Sequence, residues 1–140
     1  MKRYKIGYTT GTFDLFHIGH LNILKKSKEM CDFLIVGVST DEVVQSYKHK
    51  VPVIPFKDRV EIIKSIRYVD QVVPQLSMDK FQAWSELHFD VMFHGDDWKG
   101  YRLYNEYESR LKEVGVEVVY IPHTEGVSSS MLTDEIKYGK

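Results

Sequence analysis

The stretch Asp32-Phe33-Leu34-Ile35-Val36-Gly37-Val38-Ser39 is a nearly unbroken apolar run with no polar alternation. A strand with one face in water would alternate. A continuous run suits a strand covered on both faces, which is the setting of a parallel sheet. Parallel strands cannot be joined by hairpins, so this one stretch commits the chain to strands separated by crossover helices. The sequence supplies the partners. Further strands are expected at residues 4–9, 69–74, 89–94 and 116–121, two of them closed by Pro74 and Pro122. Helices are expected at 18–30, from Thr40 onward, at 55–67, 78–87 and 104–114, and after a polar turn at 124–130. Residues 47–55, with two prolines and a basic cluster, read as a loop.

Five strands alternating with helices predict one α/β domain over residues 1–140, a Rossmann-like doubly wound parallel sheet with helices on both faces. Right-handed crossovers reduce the strand order to a few options, most simply 3-2-1-4-5. In that order the switch point lies between strands 1 and 4, and ligands bind outside the carboxyl ends of strands at such a point. The two loops that meet there are Thr10–His20 and Gly95-Asp96-Asp97-Trp98, some eighty positions apart in the chain.

The first of these loops runs Thr10-Gly11-Thr12-Phe13-Asp14-Leu15-Phe16-His17-Ile18-Gly19-His20 and opens a helix. A glycine turn that feeds a helix start offers backbone N–H groups and the positive end of the helix dipole to a phosphate. His17 and His20, three apart, fall on one face of the first turn. Two imidazoles beside such a turn point to chemistry on a phosphorylated substrate. No thiolate or second histidine group accompanies them, so no protein-held metal is expected.

Charge narrows the partners. The net charge of −1 excludes a general basic field for nucleic acid or a membrane surface. No apolar run approaches the roughly 20 residues needed to span a bilayer, and no leader pattern precedes Met1-Lys2-Arg3, so a cytoplasmic location is expected. Cys31, the single cysteine, reads as a small core residue.

The pattern Gly11-Thr12-Phe13-Asp14 followed by His17-Ile18-Gly19-His20 resembles the HxGH signature of the nucleotidyltransferases that join an NTP to a phosphorylated acceptor. Thr124-Glu125-Gly126-Val127-Ser128-Ser129 resembles the corresponding segment of their cytidylyltransferase branch, and Ile66-Arg67-Tyr68-Val69-Asp70 and Gly95-Asp96-Asp97-Trp98 match as well. The length and the last of these are most similar to the bacterial members that use glycerol 3-phosphate. The resemblance implies transfer of CMP from CTP, with His17, His20 and Lys50 as catalytic groups. It implies nucleotide contacts from Thr10, Gly11, Thr12, Phe13, Gly19, Arg59, Gly95, Asp96, Asp97, Trp98 and His123, and from Thr124, Glu125, Gly126, Val127, Ser128, Ser129 and Ser130. Asp14, Lys48 and Lys80 would contact the acceptor. Magnesium is implied as the companion of the triphosphate, and a homodimer through the Arg67–Asp70 segment. One position departs from the family pattern: His123 stands where an arginine is expected before Thr-Glu-Gly. Other phosphorylated polyols, an amino-alcohol phosphate such as phosphocholine, an ATP-dependent relative and a nucleotide-binding module without turnover are the alternatives at this stage.

Overall fold

The apolar run becomes the best-covered strand of the sheet. In the computed structural model, which describes residues 4–96, 102–124 and 132, it lies within β2 (Cys31–Ser39), and residues 34–39 are all buried. The element order is β1 (Tyr4–Gly11), α1 (Ile18–Glu29), β2, α2 (Asp41–Lys48), α3 (Phe56–Lys64), β3 (Gln71–Gln75), α4 (Lys80–Leu87), β4 (Val91–Gly95), α5 (Arg102–Glu113) and β5 (Glu117–Ile121). All strand pairs are parallel, and the sheet order is β3-β2-β1-β4-β5, as expected from the crossover rule.

Alternation along the strands builds two cores. Leu34, Val36 and Val38 of β2 join Val91 and Phe93 of β4 on the face covered by α1 and α3. Ile35, Tyr8 and Met92 point the other way, toward Leu111 of α5 and Phe89. Cys31 is fully buried in the first core. The sheet requires close approach at two glycines. A Cβ at Gly7 would come within 2.6 Å of the Phe93 ring, and one at Gly37 within 2.6 Å of the Tyr8 hydroxyl. Either substitution would force the sheet and its side chains apart.

Several boundaries shift from the sequence expectation, and three of the shifts have a plain physical reason or bear on the site. β3 continues through Pro74 to Gln75; it is an edge strand paired only with β2, so the N–H that proline lacks costs no ladder bond. α3 stops at Lys64, capped by Ser65, so Ile66 and Arg67 lie beyond it. Tyr47 and Lys48, read as loop, form the last turn of α2, which Thr40 caps through Val43 N–H (3.2 Å) and His49 ends in a left-handed conformation (φ 57°). The final helix expected after Ser130 lies outside the described residues. Among those residues no helix is long and apolar enough to cross a membrane.

Candidate active site

Between β1 and α1 the chain takes two left-handed steps at non-glycine residues, Phe13 (φ 56°) and Leu15 (φ 49°). Such backbone persists only where its surroundings hold it. Here the Phe13 ring is buried in the core, folded back so closely that a Cβ on Gly11 would stand 3.0 Å from it.

The turn delivers His17 to the N-cap of α1, and the helix start is closed by a capping box made of imidazoles instead of a hydroxyl and a carboxylate. Gly19 N–H donates to His17 Nδ1 (3.0 Å), and the N–H of His17 donates to His20 Nδ1 (3.2 Å). The two rings stack with centroids 3.9 Å apart and an interplanar angle of 27°. Because both Nδ1 atoms accept, each neutral ring must carry its proton on Nε2. Burial, aided by the charges of His17 and Lys48, pushes His20 down to about 3, and burial also lowers His17. At neutral pH the pair is therefore two uncharged donors of fixed tautomer. From sequence, the helix-start amides themselves would face phosphate. In the structure those of His17 and Gly19 are given to the imidazoles, and the ring Nε2–H groups join the donors that the helix start offers.

The lysines stand at the end of α2, which Lys48 closes, and in the segment that follows it, which carries Lys50. Tyr47 Oη and Thr12 Oγ1 share a hydrogen bond (3.0 Å). Asp14, expected on the acceptor, instead accepts from the N–H groups of Val53 and Ile54, both at 2.8 Å. Its carboxylate thus fastens the segment that carries the lysines. Lys48 is held below the ordinary lysine value by burial and by the neighbouring charges of Lys50 and Arg59, with Asp14 opposing. The Lys48 charge is felt at His20, where it adds to the lowering of the imidazole.

Two of the expected basic contact residues are buried. Arg59, expected on the nucleotide, has no exposed surface. Its Nε donates to Ile54 O (2.9 Å), its Nη1 to Thr12 O (2.8 Å) and Ser39 O (2.7 Å), and its Nη2 pairs with Asp41. It holds the turn from beneath and presents nothing to a ligand. Lys80, expected on the acceptor, is 1% exposed and donates to Thr10 Oγ1 (3.1 Å), so it meets the site through the end of β1.

Across the switch point, Asp96 follows β4 and His123 follows β5. Asp96 accepts from His123 N–H (3.2 Å) and Nδ1 (2.9 Å), and the ring hydrogen bond holds its carboxyl below the usual range. Asn22 Nδ2 of α1 donates to Thr124 Oγ1 (2.8 Å), which ties the segment after β5 to the helix that starts at the histidines. Thr10, Gly11, Thr12, Phe13, Asp14, His17, Gly19, His20, Gly95, Asp96, His123 and Thr124 thus share the carboxyl edge of the sheet. Asp97, Trp98, Glu125, Gly126, Val127, Ser128, Ser129 and Ser130 lie outside the described residues. Tyr47 and Asn22 escaped the sequence reading: each acts through one side-chain bond to a residue 35 or 102 positions away, and no local spacing signals that. A groove of about 580 Å³ between the start of α2 and Leu76–Met78 lies at the same carboxyl edge, beyond β2 and β3, and is lined by none of these residues.

Among the described residues no three His, Cys, Asp or Glu side chains are grouped to hold a metal ion. The imidazoles and ammonium groups here do not suit magnesium, which prefers oxygen ligands, and the Asp14 carboxylate is engaged by the amides of Val53 and Ile54. A protein-held magnesium does not fit these residues.

The chain matches the cytidylyltransferase-like family model over residues 8–135. It is 40% identical over 129 residues to glycerol-3-phosphate cytidylyltransferase of Bacillus subtilis strain 168, covering 91% of this chain and 94% of that protein. It is also 40% identical over 133 residues to the enzyme of the same name from Staphylococcus aureus, covering 94% of each. Among solved structures, a lipopolysaccharide core biosynthesis protein from Thermoplasma volcanium superposes with a TM-score of 0.77 at 27% identity, over 87% of this chain and 99% of that one.

Proposed function

This chain belongs to the cytidylyltransferase-like family, and from that premise we propose that it transfers CMP from CTP to sn-glycerol 3-phosphate, giving CDP-glycerol and pyrophosphate. The observation that carries the reading is the stacked, neutral, Nε2-protonated pair of His17 and His20 at the carboxyl end of β1.

An oxygen of the acceptor phosphate attacks the α-phosphorus, and the bond to the pyrophosphate oxygen breaks. No covalent intermediate on the protein is required, so the protein's work is positioning and charge stabilisation. The Nε2–H donors of His17 and His20 meet the phosphate oxygens on which charge grows. Fixed neutral donors lose nothing to reorientation as that charge develops. Lys50 brings an ammonium to the triphosphate and Lys48 one to the acceptor phosphate. The repulsion between these lysines in the free protein is relieved when anions arrive. Thr12 and Phe13 offer backbone contacts to the nucleotide, and Gly19, buried at the helix start, lets it approach closely. His123, paired with Asp96, faces the nucleotide in place of arginine. Magnesium travels with the triphosphate, held by its own oxygens. The enzyme works in the cytoplasm as a homodimer through the segment around Arg67, whose exposed guanidinium lies over the Tyr68 ring. Its product supplies a cell-surface polymer.

Pyrophosphate release from each NTP paired with a panel of phosphorylated acceptors tests this reading. Release is expected with CTP and glycerol 3-phosphate. Release with ATP but not CTP overturns the nucleotide, release only with phosphocholine overturns the acceptor, and CTP binding without release overturns the reaction. His17→Asn keeps a good helix cap but removes the imidazole. It should stay folded and lose roughly 10²–10⁴-fold in kcat.

A further inference from the structure

The mechanism leaves unused one polar side chain at the edge of the site, the phenol of Tyr47. It sits at the end of α2, immediately before Lys48, and shares its hydrogen bond with Thr12, the residue after the glycine of the β1 turn. We propose that Tyr47 is a positioning residue for the transfer reaction, fastening the near end of the lysine segment to the phosphate-binding turn. The inference rests on the reading of Lys48 and Lys50 as phosphate-binding groups.

The segment that follows α2 has two fixed ends. At its far end Asp14 takes the amides of Val53 and Ile54. At its near end the helix is over, because His49 turns left-handed (φ 57°) and its N–H closes the last turn on Gln45 O (3.0 Å). Beyond that point no helical bond restrains the chain, and Val51 and Val53 are exposed. Tyr47 is the last residue before this change that reaches the turn. Both of its anchors, Thr12 and Asp14, belong to the same four-residue stretch that begins at Gly11. Thr12 is itself anchored, since its carbonyl accepts from the buried Arg59. The phenol therefore ties the end of α2 to a turn that is held from the interior by Arg59. It matters because the segment carries like charges. Lys48 and Lys50 repel each other and Arg59 repels Lys48, so without a tether the segment relaxes away from the turn. With it, the ammonium groups wait where the phosphates bind, and less ordering is needed on binding.

Tyr47→Phe removes the hydroxyl and keeps the ring, including its contact with the Lys48 ammonium at 5.7 Å. The loss of one partly buried hydrogen bond, about 1 kcal/mol, corresponds to roughly a five-fold effect. The expected result is CTP binding weaker by about that factor with CMP binding unchanged, because the lysines act on phosphates that CMP lacks. The KM for glycerol 3-phosphate should rise with it. Thr12→Val combined with Tyr47→Phe should be no worse than the poorer single variant, since both remove one bond. Equal weakening of CTP and CMP, or fully additive losses in the double variant, would overturn the proposal. So would a Tyr47→Phe protein identical to wild type in CTP affinity and KM. Wild-type protein that fails to turn over CTP would instead break the functional reading beneath it, and the two failures are distinguishable.

Discussion

Arg59 and Lys80 are both cations sealed in the interior, on opposite faces of one sheet, and each ends at the carboxyl edge where the site lies. Arg59 packs in the α1/α3 layer and finds three carbonyls and the Asp41 carboxylate. Lys80 packs in the α4/α5 layer and bonds the Thr10 hydroxyl. Its neighbourhood shows the strain of an under-compensated charge. Burial pushes Lys80 down to about 7, and burial with the Lys80 charge pushes the nearby His94, itself buried, down to about 3. The guanidinium, with five donors in a rigid fork, can be satisfied without water; an ammonium at the end of a flexible chain is held less firmly. The first cation is a structural knot. The second is a charge the fold tolerates next to its active edge.

The comparison breaks most visibly at Arg59. Arg59→Met leaves Asp41 and the carbonyls of Thr12, Ser39 and Ile54 without their partner, and should cost roughly 3–5 kcal/mol in urea unfolding. Arg59→Lys should recover little, because one ammonium cannot reach four acceptors. Lys80→Met should act in the opposite direction, stabilising the fold by on the order of 1–4 kcal/mol at pH 6. That gain depends on pH with a definite sign. Below about 7 both folded and unfolded chains hold the Lys80 proton, and the cost of burial is fully present. Between about 7 and the ordinary value of 10.5 the unfolded chain binds a proton that the folded one does not, so wild-type stability rises with pH across that window. The difference between wild type and Lys80→Met should shrink through it, and a difference constant from pH 6 to 10 would refute the assignment. The smallest effect belongs to Asp79, which caps α4 through the N–H groups of Phe81 and Gln82 and whose charge raises Lys80. Asp79→Asn keeps the cap and removes the charge. Stability should change by less than about 0.5 kcal/mol, while the Lys80 titration, followed by NMR, moves lower.

The contrast also marks where sequence reasoning stopped. The apolar run of β2 and the crossover rule carried the strand order and the placing of β1 beside β4, because those follow from periodicity and handedness. The fate of the cations did not. Arg59 lies three residues after Phe56 and four before Ile63, on the buried stripe of α3, and Lys80 precedes Trp84 and Leu87 by four and seven on α4. A helical projection places both inward, but a charge on an apolar stripe is ordinarily taken for a solvated edge. Asp14 has a structural tie that was hidden for a related reason. Its place in the Gly-Thr-Phe-Asp segment suggested a ligand contact, and its bonds go to amides 39 and 40 positions away, a pairing that only the folded loop reveals.

The imidazole capping box carries one last consequence. At most helix starts the cap can be tuned without touching chemistry, since serine or aspartate at the first position and glutamate three residues on are interchangeable improvements. Under the proposed mechanism the cap and the reactive groups are the same two rings. A laboratory selection for heat resistance would be drawn to His17→Ser and His20→Glu, and each step toward a firmer helix would remove a donor from the transferring phosphate. Robustness and turnover share one address in this protein, so neither can be improved there alone.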